Sequence, residues 1–123
     1  GCGQHAKMAN QIMIAGALSG VCEALAYAKA EGLDRSTLVN ALSSGAAGSK
    51  QLDFQGHKIL DGDFAPGFFM KHFIKDMRLA EEEANHAGLD LNVLRQTLEN
   101  CRALEQQGCG DLGTQALIKF YEK

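Results

Sequence analysis

Residues 1–31, GCGQHAKMANQIMIAGALSGVCEALAYAKAE, decide the fold class. From about Gln4 to Glu31 there is no proline and only Gly16 and Gly20 interrupt the side chains, so a helix of about 28 residues and about 42 Å is allowed. Between Ile12 and Leu18 nearly every position is apolar, the pattern of a helix covered on all sides. Ile14, Leu18, Val21 and Leu25 are therefore expected to be largely buried, within a bundle or against a partner. Gly16 and Gly20, at i and i+4, clear one stripe of this helix and let another helix approach closely.

Outward from this helix, Gly32 fits the left-handed position that ends it, and Asp34 caps a second helix reaching Leu42 or Ser43. SSGAAG, Ser43 to Gly48, reads as a loop, and a weaker third helix runs from about Ser49 to Leu60. After a connection holding Asp61, Gly62, Asp63, Pro66 and Gly67, a fourth helix spans about Met70 to His86 and stops at Gly88. Its Phe73, Ile74, Met77, Ala80 and Ala84 share one face, opposite Glu81, Glu82 and Glu83. A fifth helix covers about Asn92 to Gln107 and a sixth about Leu112 to Tyr121. The expectation is an all-α bundle of six helices around the first, forming one domain over residues 1–123.

Composition agrees. With 15 Leu and 17 Ala against 11 residues of Val, Ile and Thr together, helix formers dominate and sheet formers are scarce. A chain of 123 residues, 46% hydrophobic and 22% charged, suits one globular domain. A net charge of −3 gives no basic footprint for nucleic acid. The longest apolar run, Ile12 to Cys22, falls short of the ~20 residues of a membrane span, so none is expected. Cys2, Cys22, Cys101 and Cys109 match no zinc spacing, and no leader is read before them, so reduced thiols and a cytoplasmic setting are expected. His5, His57, His72 and His86 have no ligand spacing either, and no metal site is expected.

Gly1 to Ala6 satisfies GxGxx[GA] as a pattern, but the dinucleotide fingerprint works only where a strand feeds the glycine turn, and the sequence offers no strand before Gly1. Lys7, Asn10 and Gln11, at i, i+3 and i+4, share one face at the start of the long helix. Polar groups entering a buried helix need partners or a ligand, and a partly desolvated lysine exchanges protons readily, which suits acid–base work at a carbonyl or hydroxyl. The plain alternative is the polar, exposed end of a helix. Lys71, Lys75 and Arg78 form a short basic stripe on the fourth helix beside His72 and Asp76, for which a solvated face is the stronger reading and an anion site the alternative.

Two stretches together resemble one family. Gly1 to Gln11 (GCGQHAKMANQ) and Gly67 to Ala80 (GFFMKHFIKDMRLA) are similar to the GxGxxxKxxN[NQ] and GFxxxxxxKDLxLA signatures of the β-hydroxyacid dehydrogenases. The resemblance extends over essentially the whole chain, including ALSSGAAGSKQL between the motifs. It implies a helical domain like the C-terminal domain of 6-phosphogluconate dehydrogenase, joined in the family to an N-terminal Rossmann cofactor domain that lies outside this sequence, so that this piece alone is expected to be inactive. It implies NAD or NADP as cofactor, a small hydroxyacid as substrate and assembly into homo-oligomers. By the same resemblance Lys7 is the catalytic proton donor and acceptor, Asn10 and Gln11 hold the substrate, and Phe68, Lys75 and Asp76 belong to the cofactor site. The NQ at Asn10–Gln11 is closer to tartronate semialdehyde reductases than to 3-hydroxyisobutyrate dehydrogenases, and Met77 replaces the usual leucine. A different class stays open: a helical oligomerisation module without chemistry, its lysines being surface charges.

Overall fold

The computed structural model describes residues 1–122. Six α-helices account for most of them: α1 (Cys2–Ala30), α2 (Arg35–Ser43), α3 (His57–Leu60), α4 (Met70–His86), α5 (Asn92–Leu104) and α6 (Ile118–Tyr121). The only ladder pairing among the described residues is an isolated bridge between Phe69 and Gly113. The all-α expectation holds, with α1 as the central post.

α1 ends as its sequence dictates. Gly32 adopts φ 72°, Leu33 N–H donates to Ala28 O at 2.9 Å, and the turn closes before Asp34, whose carboxylate accepts from Thr37 N–H at 3.3 Å to cap α2. Ala15, Leu18, Cys22 and Leu25, spaced by three and four, are all buried with Met70, Phe73 and Met77 of α4 and Leu94, Leu98 and Cys101 of α5 in one cluster. Each large side chain so buried contributes ~1.5–3 kcal/mol. By length and a mean hydropathy of 1.4, α1 would also satisfy a membrane span, contrary to the reading from its longest uninterrupted apolar run. In the fold part of that apolar stretch, Ala15, Leu18, Val21, Cys22 and Leu25, lies in the core of the bundle.

α1 is nevertheless not covered all round. Met13 is 76% exposed and Tyr27 65%, while Ile14, expected to be largely buried, is partly buried against the core. The neighbours are too short to wrap the helix: α3 and α6 have four residues each. Gly16 and Gly20 also differ from expectation. A Cβ on Gly20 would meet nothing within 4 Å and one on Gly16 only Val93 Cγ1 at 3.9 Å, so no helix of this chain approaches closely there.

Three predicted helices are less regular than expected. The stretch read as Ser49 to Leu60 contains a π-helical turn over Leu52–Gly56 that runs into α3, and Ser49 Oγ accepts from Leu52 N–H at 3.0 Å. α5 ends at Leu104 rather than Gln107 and widens into a second π-helical turn, Glu105–Cys109, broken at Gly108 with φ 94°. The expected helix from Leu112 shrinks to a 3-10 turn, Thr114–Leu117, before α6. The cause lies at the other end of the chain. α4 has no side-chain cap, so its first N–H groups need acceptors. Gly110 and Leu112 supply them, Lys71 N–H donating to Gly110 O at 3.0 Å and Met70 N–H to Leu112 O at 2.8 Å. Thr114 N–H donates to Phe68 O at 3.1 Å, and the buried Gln115 amide donates to Asp63 O and Ala65 O at 3.0 and 2.9 Å. A backbone spent on capping α4 and pinning Phe68 is not free to continue a helix of its own.

All four cysteines are free thiols. Burial pushes both core thiols upward, Cys101 to about 12, and leaves them unionised and unreactive at neutral pH.

Candidate active site

The two motif stretches meet. Gln11 on α1 is 8% exposed, and its Nε2 donates to Asp76 Oδ2 on α4 at 2.9 Å, across 65 residues of sequence. Its Oε1 accepts from Asn10 Nδ2 at 3.3 Å, so the polarity of the amide is set from both ends. A hydrogen bond to a carboxylate is worth ~1.5–3 kcal/mol, enough to hold Gln11 in one rotamer. Sequence reading put Asp76 with the cofactor and did not see this contact. In the fold, Asp76 positions Gln11.

Lys7, one turn before Gln11, lines a small hollow of about 50 Å³ together with Gln4, Met8, Asp76 and Leu79. Its side chain is exposed, so the desolvation expected for it is not supplied by this domain. Asn10 is exposed beside it. Gln11 also belongs to a second, larger hollow of about 300 Å³ whose wall includes Ile14, Gln51, Gln55, Phe68 and Thr114, with Phe73 at its floor. Phe68, 41% exposed, stands at the lip, its ring edge-on to Phe73 with centroids 6.4 Å apart. Lys75 precedes Asp76 and so projects about 100° round α4; it is exposed and lines neither hollow.

The basic stripe divides. Lys71 pairs with Asp111 at 2.7 Å and lies 5.4 Å over the Phe69 ring, holding the Asp111 carboxyl below the usual carboxylate range. His72 packs its ring between Phe68 and Phe69, at 6.2 and 5.4 Å. The structure thus brings Lys7, Gln11 and Asp76 to one hollow and Gln11 and Phe68 to the next. Gln51, Gln55 and Thr114 were missed by sequence reading. The one signal available for them was the i, i+4 spacing of the two glutamines in a weak helix.

The comparisons with known proteins follow the same lines. The family model described as NAD-binding of NADP-dependent 3-hydroxyisobutyrate dehydrogenase matches residues 1–121. A protein of Arabidopsis thaliana named as a probable mitochondrial 3-hydroxyisobutyrate dehydrogenase-like protein is 46% identical over 123 residues, 100% of this chain and 37% of its own length. The 2-hydroxy-3-oxopropionate reductase of Escherichia coli is 33% identical over 122 residues, 99% of this chain and 42% of the relative. The chain therefore spans about two fifths of the relatives it matches. A crystal structure described as 3-hydroxyisobutyrate dehydrogenase from Salmonella typhimurium superposes with a TM-score of 0.88 at 22% identity over 93% of this chain and 40% of that one, which shows the shared helical fold. With the family model matched from the first motif to the last helix, this chain belongs to the NAD-binding family of NADP-dependent 3-hydroxyisobutyrate dehydrogenases.

Proposed function

We propose that residues 1–123 form the helical substrate domain of an NAD(P)-dependent oxidoreductase that interconverts a small β-hydroxyacid and its semialdehyde, the cofactor-binding Rossmann domain belonging to the rest of the protein. The observation that carries this reading is the Gln11–Asp76 hydrogen bond, which joins the lysine motif of α1 to the lysine–aspartate motif of α4 at one hollow. A bound nicotinamide supplies the hydride; the protein contributes position and a proton. Lys7 donates that proton to the carbonyl oxygen on reduction and takes it back on oxidation. Asn10 and Gln11 hold the substrate, Gln11 steadied by Asp76. Phe68 offers a half-exposed ring, and Lys75 a cation, on the side open to the cofactor. The cover that desolvates Lys7 comes from the second domain.

The experiment is a titration of the intact protein with NADH and NADPH, followed by turnover of short 3-hydroxyacids read from nicotinamide absorbance. Cofactor binding with turnover is expected. A second reading draws on the exposure of Lys7 and Lys75: a helical module without chemistry, its lysines solvated. Failure of the intact protein to bind either cofactor would establish that alternative.

Asp76 is tested as a positioning residue. Asp76→Ala is expected to raise KM about tenfold with a smaller fall in kcat, because Gln11 loses the acceptor that orients it. Asp76→Asn, which can still present an oxygen to Gln11, is expected to recover most of the loss. Equal damage from both variants would show that the negative charge, and not the hydrogen bond to Gln11, is what matters.

We propose further that the open flank of α1 pairs with a second copy. Gly16 and Gly20 each cost ~1 kcal/mol of helix stability against alanine, and in this chain only Val93 Cγ1 approaches the space beside Gly16 and nothing that beside Gly20. Hollows of about 380 and 350 Å³ lie on either side of them. A Cβ at Gly20 meets nothing within 4 Å and the position borders open hollows, so Gly20→Leu is expected to fold, yet to sediment as a smaller species than the intact wild-type protein. Unchanged sedimentation would remove α1 from the interface.

A further inference from the structure

From Asp63 to Phe68 the chain has no regular secondary structure, yet this loop carries Phe68 to the lip of the larger hollow. Three consecutive residues from the far end of the chain hold it. Gly113 N–H donates to Phe64 O at 2.9 Å, and Thr114 N–H to Phe68 O at 3.1 Å. The Gln115 side chain donates through Nε2 to both Asp63 O and Ala65 O, at 3.0 and 2.9 Å. Lys119 adds its ammonium over the Phe64 ring, 4.2 Å from the centroid.

Of these contacts, the one made by Gln115 is the least required by the fold. The residue is 1% exposed, and burying an amide is costly unless its hydrogens are met; here both are given to the loop. The two carbonyls it serves belong to exposed residues, where water is an equally good donor. Water cannot fix the loop in one place. Gly113 gives the amide its room: a Cβ there would collide with Oε1, Cδ and Nε2 of Gln115, although φ −68° and ψ 162° suit alanine. The glycine is required by the amide and not by the backbone.

The ring of Phe68 has few holds of its own. It meets Phe73 and His72 at centroid distances of 6.4 and 6.2 Å and is otherwise open. Gln115 docks the loop three residues before it, Thr114 docks its carbonyl, and Pro66 fixes φ between the two. We propose that Gln115 is a positioning residue for the cofactor: by tying Asp63 and Ala65 to the turn Thr114–Leu117 it holds the Phe68 ring preset for the nicotinamide. This rests on the oxidoreductase reading above and adds to it a residue that touches neither substrate nor cofactor. A preset ring spares the cost of ordering it on binding, so the effect falls on affinity and not on the chemical step.

The test is a cycle of variants of the intact enzyme, oxidising a short 3-hydroxyacid with NAD and with NADP. Phe68→Ala is expected to raise the KM for the cofactor about tenfold, through a lost aromatic contact. Gln115→Met keeps the volume and loses the donors; it is expected to raise the same KM about fivefold with kcat within about twofold of wild type, the size of one side chain left to be ordered on binding. In the Phe68→Ala background Gln115→Met is expected to add nothing, because the two act through one ring. Gly113→Ala, which expels the amide without removing it, is expected to reproduce the KM rise and is read even if Gln115→Met fails to fold. A merely structural role would shrink the active fraction, lowering kcat at unchanged KM. That result, a Gln115 effect that persists in full without the Phe68 ring, or an unchanged KM in Phe68→Ala overturns the positioning role while the oxidoreductase reading stands. A wild-type enzyme that neither binds nor turns over either cofactor overturns both.

Discussion

Lys7→Ala in the intact enzyme lowers kcat by at least about 100-fold, the loss expected when a positioned general acid is removed. The lysine lies one helical turn before Gln11 and lines the same hollow as Asp76, so on the proposed reading a substrate held by the amide presents its carbonyl oxygen to the amine. Removing a proton donor acts on the transition state far more than on the bound substrate, so KM changes less than kcat. Cofactor affinity stays nearly constant, because the reading places the phosphates on the other domain. Stopped-flow measurement of hydride transfer, with a separate titration of cofactor, separates the two effects. A variant that keeps more than a tenth of wild-type turnover would take the proton relay away from Lys7.

The second large effect is on stability. Phe73 is fully buried on α4, in the cluster that joins α4 to α1 and at the floor of the larger hollow. Phe73→Ala is expected to cost ~3–5 kcal/mol, from lost transfer energy and from the cavity left behind, which for a domain of this size lowers Tm by about 10 °C or more. It should also loosen Phe68, which loses its edge contact. Val93→Ala, at a side chain 61% exposed on α5, serves as the control and is expected to stay within ~0.5 kcal/mol of wild type. Denaturant midpoints at unchanged slope make the comparison. A Phe73 variant no less stable than the control would contradict the packing of α4 on α1.

Where the chain turns helical was legible locally. The 3- and 4-residue spacing of Leu18, Val21, Cys22 and Leu25, the cap at Asp34 and the glycines at 32 and 88 act within a few residues of themselves, so the sequence carries them openly. The two motif stretches were legible as local patterns that resemble a family's signatures. The open flank of α1 was not: apolar composition states what a helix prefers, and only the lengths of the packed neighbours decide how much of it they reach.

By itself, then, the sequence determined an all-α chain around one long helix and the two motif stretches that resemble the family's signatures. The tertiary structure alone decided how those residues are held. Gln11 meets Asp76 across 65 residues, α4 borrows its cap from Gly110 and Leu112, and the buried Gln115 amide is met by the carbonyls of Asp63 and Ala65. The physical reason is the same in each case. A buried polar group must be satisfied by whatever lies beside it in space, and helical periodicity encodes which face is buried but not which donor or acceptor will be found there.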